Sequence, residues 1–61
     1  MKVKEIIKII EADGWTIDRI KGSHRQYKHY AKPGTVTIAG KLSIEMPVGT
    51  VISILKQAKL R

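Results

Sequence analysis

The stretch Trp15-Thr16-Ile17-Asp18-Arg19-Ile20-Lys21-Gly22-Ser23-His24-Arg25-Gln26-Tyr27-Lys28-His29-Tyr30 decides the fold. On either side of Gly22-Ser23 it is rich in β-branched and aromatic residues arranged with a period of two, the pattern of half-buried strands. A glycine at the first central position of a two-residue turn supplies the positive φ that a type II′ hairpin needs. Antiparallel strands are therefore predicted over 15–21 and 24–30. A third, over 35–39, follows Lys32-Pro33-Gly34, in which Pro33 presets φ and Gly34 is free to take a positive one.

Working outward, amphipathic helices flank this meander. Val3, Ile6, Ile7 and Ile10 fall at i, i+3, i+4 and i+7, which predicts a helix over about residues 2–13 with one apolar face. Asp13-Gly14 ends it, with Gly14 as the left-handed residue and Trp15 folding back onto the last turn. Residues 40–46 read as a connecting loop. Beyond them Val48, Val51, Ile52, Leu55 and Ala58 share one face of a second helix, with Pro47 at its first position and Lys56 and Lys59 near its negative end. The predicted fold is α+β, of order αβββα: a three-stranded antiparallel sheet with both helices on one face and the other face open to solvent. Residues 1–61 make a single domain.

A chain of 61 residues buries only about 60% of its unfolded surface, so the core is small. Cysteine is absent, which removes disulfides and thiolate zinc sites as staples and fits the cytoplasm. Met1-Lys2-Val3-Lys4 followed by isoleucines resembles a signal peptide only superficially, because Lys8 and Glu11 interrupt the apolar run and no cleavage site follows. No stretch approaches the roughly 20 apolar residues that span a bilayer, so no membrane association is expected. Twelve Lys and Arg against five Asp and Glu give a net charge of +7, which points to nucleic acid or an acidic protein as partner.

The charge is unevenly placed. From Arg19 to Ile44 there is no Asp or Glu, while Arg19, Lys21, Arg25, Lys28, Lys32 and Lys41 are cationic. Strand alternation sends Arg25, Tyr27 and His29 to one face and His24, Gln26 and Lys28 to the other. Tyr27 is the natural core residue, which leaves His24, Gln26 and Lys28 on the open face and makes His29 a packed, structural histidine. A histidine of ordinary pKa, about 6.5, can take or give a proton near neutrality, and a lysine can bind a phosphate oxygen. Together these are parts for RNA cleavage through the ribose 2′-hydroxyl. Spacing alone favours the plainer reading, an exposed strand histidine with no chemical role. Tyr30, at the strand end, is the one aromatic placed to stack on a base. No metal site is expected, because His24 and His29 lie on opposite faces and Asp18 and Glu45 come from other elements. No cofactor is expected either.

Three segments together resemble a known family: Gly22-Ser23-His24-Arg25-Gln26-Tyr27-Lys28-His29, then Lys32-Pro33-Gly34-Thr35-Val36-Thr37, then Pro47-Val48-Gly49-Thr50 leading into Ile54-Leu55-Lys56-Gln57-Ala58. In this order they are similar to the HicA toxins of HicA–HicB toxin–antitoxin modules, over nearly the whole chain. The resemblance implies a double-stranded-RNA-binding-domain-like fold and a translation-independent mRNA endonuclease held inactive by a HicB-type antitoxin. It implies that the catalytic histidine is His24. Many members carry a further histidine where this chain has Ala39-Gly40-Lys41, and Lys59 stands where a glycine is common.

The expected function is thus a metal-independent mRNA endoribonuclease with His24 as general acid or base. Lys21, Ser23, Arg25, Lys28 and Lys41 are the candidates for RNA binding. The protein is expected to be monomeric when free and part of a hetero-oligomer with its antitoxin. A non-catalytic RNA-binding module of the same fold is the alternative. A DNA-binding repressor is a weaker third reading, since no helix-turn-helix spacing is present.

Overall fold

In the computed structural model, which describes residues 1–61, the stripe Val3, Ile6, Ile7 and Ile10 forms the buried face of helix α1 (Val3–Ala12). A helix N-terminus leaves backbone N–H groups without intrahelical partners. Here Lys2 N donates to Glu5 Oε1 at 2.8 Å, and Val3 N and Lys4 N donate to the carbonyls of Ile44 and Leu42, each at 3.0 Å. The segment 40–46 is therefore more than a connection. It caps α1, pairs Lys2 with Glu45 in an isolated antiparallel bridge, and places the Glu45 carboxylate 2.9 Å from the terminal ammonium.

The other end of α1 closes as the sequence predicts. Asp13 is the C-cap, Gly14 follows with φ +107°, and Trp15 is fully buried behind it. Strands β1 (Trp15–Lys21), β2 (His24–His29) and β3 (Val36–Ala39) then form an antiparallel sheet of order β1-β2-β3. Gly22 has φ +60° and Ser23 does not share its positive sign, the signature of a type II′ turn.

Two fixed points define the first hairpin: Lys21 opposes His24 at the turn, and Trp15 opposes His29 at the far end. Seven residues of β1 then face six of β2. One must be extruded, and the register steps between Ile17↔Tyr27 and Arg19↔Gln26, leaving Asp18 as a β-bulge. Directly opposed residues share a face. The bulge therefore puts Thr16, Arg19 and Lys21 on the open face with Lys28, Gln26 and His24, and Ile17 and Ile20 on the helix side.

The core comprises Trp15, Tyr27, Val36 and Ile38 from the sheet, the four α1 residues, Met46, and Ile54 and Ala58 near and just beyond the end of α2 (Val48–Gln57). Both helices cover the same face, but not all of it. Of β1 only Trp15 is buried; Ile17 and Ile20, on that face, remain 48% and 64% exposed beyond the reach of α1.

Two details of α2 differ from the sequence reading or sharpen it. Pro47 is the N-cap, with an extended ψ of 148°, and not the first helical residue. Its carbonyl accepts from Thr50 N and Val51 N. At the other end Lys59 N donates to Lys56 O at 3.1 Å and Leu60 N to Leu55 O at 2.8 Å, a Schellman closure in which Lys59 takes φ +58°.

One corner joins these elements. Lys32 Nζ donates to Asp13 Oδ2 at 2.5 Å, to Ala58 O at 3.1 Å and to Lys59 O at 3.4 Å, tying the C-termini of α1 and α2 to the β2–β3 turn. His29 Nε2 donates to Asp13 O at 2.6 Å, while its Nδ1 accepts from Ala31 N and Lys32 N. That pattern requires the proton on Nε2, and with its side chain 4% exposed His29 is the structural histidine that alternation predicts. Trp15 Nε1, buried without a hydrogen bond of its own, lies beside the same Asp13 carboxylate.

Two outcomes follow for stability. The Lys32 hydrogen bond, supported by its charge, holds the Asp13 carboxyl below its ordinary value of 3.8, with partial burial opposing. A depressed carboxyl contributes stability that is complete above the unfolded value and lost as pH falls through the folded one. Between about pH 5 and pH 2 the unfolding midpoint of the parent should therefore fall more steeply than that of Asp13→Asn; parallel curves would rule out the linkage. Left-handed positions should respond in opposite directions. Gly14→Ala strains φ and drives a Cβ to 2.8 Å from His29 Nε2, costing about 1–3 kcal/mol. Lys59→Gly relieves a left-handed residue and should gain about 0.5–1 kcal/mol, both read from denaturant midpoints.

Candidate functional site

The open face of the sheet is arranged in cross-strand rows. His24 stands between Lys21 on β1 and Ala39 on β3, Gln26 between Arg19 and Thr37, and Lys28 opposite Thr16. His24, Lys21 and Lys28 are exposed. Ala39 has no bulk to cover the imidazole from the β3 side, so the ring is reachable from solvent. Gly40 N donates to Ser23 O at 3.2 Å, which carries Lys41 toward the β1–β2 turn. The fold thus gathers His24, Lys21, Ser23 and Lys41 at one end of the sheet. Lys28 stands four residues along β2 from His24, about 13 Å by strand rise, too far to share one phosphate with it but suited to the next ones along a polymer.

The cations of the acid-free segment separate into two groups. Arg19 lies 3.4 Å from Asp18, its neighbour at the bulge. Lys32 is committed to Asp13 and the end of α2. Arg25 is on the helix side and half-buried, where its Nη1 donates to Gly40 O at 2.7 Å and anchors the chain leaving β3. Of the five residues chosen as RNA-binding candidates, Arg25 is the one the structure sets apart from His24. Lys21, Lys28 and Lys41 form no ion pair within the chain, so their charge is free to act outward.

Sequence reasoning counted Lys32 among the surface cations and did not foresee its structural role. The available signal was the carboxylate of Asp13 at the C-cap of α1, but nothing in the chain order places it beside Lys32. The Asp18 bulge was also missed, because the strands expected over 15–21 and 24–30 are equal in length and only the observed pairing of Trp15 with His29 makes them unequal.

No enclosed pocket is present anywhere in the molecule, and small-molecule sites are concave. An exposed proton-transfer group among outward lysines suits a polyanion laid across the sheet. No three His, Asp or Glu side chains converge as metal ligands, and no helix is long and apolar enough to cross a membrane.

Comparison with known proteins adds one finding: residues 3–60 match a family model described as the HicA toxin of bacterial toxin–antitoxin systems. Among curated proteins, none matches the chain.

The sorting of cations has a direct test. Arg25→Met removes the donor to Gly40 O and should cost about 1–3 kcal/mol. Lys21→Ala and Lys28→Ala should stay within about 0.5 kcal/mol of the parent. Denaturant unfolding of the three variants checks this, and equal losses in all three would contradict the division.

Proposed function

The chain belongs to the HicA toxin family, and on that premise we propose that it is the toxin of a toxin–antitoxin module that cleaves mRNA without a metal ion, using His24, and is neutralised by a HicB-type antitoxin. The observation that carries the reading is the open sheet face, where an exposed His24 lies across from Lys21 with Ala39 leaving its other side clear.

RNA brings its own nucleophile to such a site. His24 takes the proton of a ribose 2′-hydroxyl, the freed oxygen attacks the adjacent phosphorus, and the bond to the 5′-oxygen breaks as that oxygen takes a proton from solvent water. Lys21 offsets the charge that grows on the phosphoryl oxygens. Lys28 and Lys41 hold flanking phosphates, and Ser23 offers a hydroxyl beside the histidine. Because the chain gathers no carboxylate or histidine cluster near His24, the chemistry rests on side-chain proton transfer and charge. Arg25, with its guanidinium engaged by Gly40, contributes by holding β2 against the loop that carries Lys41.

The same face explains how an acidic antitoxin acts. A net charge of +7, with unpaired lysines around His24, favours fast association that slows as salt rises. Covering this face excludes RNA by bulk and by charge. A second reading, an RNA-binding module without catalysis, is favoured by one observation: His24 makes no side-chain hydrogen bond to orient it, whereas His29 makes three.

His24→Ala separates the two. Cleavage of single-stranded RNA should fall by about 10²–10⁴-fold, the usual contribution of a proton-transfer group, while stability changes by no more than about 0.5 kcal/mol. Parent activity should persist in EDTA. Undiminished cleavage by the variant would remove His24 from the mechanism, and activity lost to EDTA but restored by a divalent cation would overturn the metal-independent route.

A further inference from the structure

Of the three aromatic residues, Trp15 and Tyr27 are buried and Tyr30 is 92% exposed. Burial of its ring contributes almost nothing to the fold, and its side chain makes no hydrogen bond. It is nevertheless held in place. The Tyr30 ring stacks on His29 at 4.7 Å between centroids and 18° between planes, and His29 meets the Trp15 indole edge-on at 5.2 Å and 65°. His29 itself is locked by Asp13 O, Ala31 N and Lys32 N. Beneath both rings lies Gly14, where a Cβ would come within 3.0 Å of Tyr30 Cε1. An aromatic column therefore runs from the core to the surface and ends on a ring positioned from below and open to solvent.

From this column we propose that Tyr30 is a stacking platform for an unpaired RNA base, at a subsite remote from the cleavage point. The inference rests on the RNA-cleaving reading of the open face. Tyr30 follows the last residue of β2, six residues from His24, about 20 Å by strand rise. Lys28, exposed and without an ion pair, lies between them. A strand of RNA that offers one phosphate to His24 and another to Lys28, and then bends around the end of β2 where the Tyr30 ring lies on His29, reaches that ring with a base. Aromatic rings take any base by its π-face, so this contact adds affinity and sets a minimum substrate length with little sequence preference. Prior ordering of the ring by His29 lowers the entropy lost on binding. Tyr30 would be a binding residue and takes no part in proton transfer.

The test uses the His24→Ala protein so that RNA is not consumed, and a single-stranded RNA carrying 2-aminopurine at successive positions. Adding Tyr30→Ala should weaken affinity about tenfold, leave the salt dependence unchanged, and abolish the fluorescence quenching seen at one position; Tyr30→Phe should restore both. Lys28→Ala should instead lower the salt slope by about one contact and keep the quenching. Unchanged thermal unfolding in Tyr30→Ala excludes a merely structural effect. Undiminished affinity and quenching in Tyr30→Ala would overturn the platform while leaving cleavage by the parent protein intact, and so would a loss confined to binding of an acidic protein partner. Tyr30-dependent quenching in a parent protein that cuts no RNA would overturn the catalytic reading alone.

Discussion

A mismatch of one residue governs this molecule. The two-residue turn pins Lys21 to His24, and the Gly14-Trp15 corner pins Trp15 to His29. Between those points β1 has one residue more than β2, and the surplus is taken up at Asp18. Strict alternation from the buried Trp15 would have carried Arg19 and Lys21 to the helix side, and Asp18 and Ile20 to the face of His24. Extruding Asp18 reverses the second half of the strand. Two cations join the open face, and an isoleucine leaves it. The same step puts Ile20 beside Ile17 on the helix side at the sheet edge, where α1 covers neither.

The far end of the hairpin is held by polar contacts as much as by apolar packing. Lys32 bonds a carboxylate at the end of α1 and carbonyls at the end of α2, and cations are favoured at the negative ends of helices. Without cysteines to staple so small a core, this three-way contact joins elements that apolar burial alone leaves loosely related. It also determines surface character at a distance. By engaging Lys32 and fixing His29, the corner subtracts one cation from the apparent basic surface and orients the ring on which Tyr30 stacks.

The resulting division of labour follows the sheet. One face holds Trp15, Tyr27, Val36 and Ile38 against the helices; the other is polar and open to solvent. The loop over residues 40–46 serves both sides, since its carbonyls cap α1 while Gly40 receives Arg25 and Lys41 points its charge outward. On the proposed function, a polymer substrate and a masking protein would compete for this face through the same unpaired lysines, giving toxicity and its control one electrostatic origin.

The order αβββα, the α1 stripe, the glycine turns, the core placement of Tyr27 and the outward placement of His24 were legible in the sequence, because each rests on local periodicity or on a local φ requirement. The α2 stripe was legible only in part, since Val48 is 74% exposed and Ile54, outside the expected stripe, is the buried residue of that helix. His29 as a packed histidine was legible for the same reason. Family membership was legible because the ordered segments around Gly22-Ser23-His24 and Pro47-Val48-Gly49 extend over almost the whole chain. Which cations are free was not. Arg25, Lys28 and Lys32 look alike along the chain, yet one is bound to Gly40, one is open and one is half-buried and engaged by Asp13, since pairing depends on which distant carbonyl or carboxylate the fold brings within reach. The bulge at Asp18 and the Tyr30 stack belong to that second kind. Local sequence determined what each segment is, whereas only the closed tertiary structure, by forcing unequal strands into register and bringing chain ends together, decided which side chains remain for function.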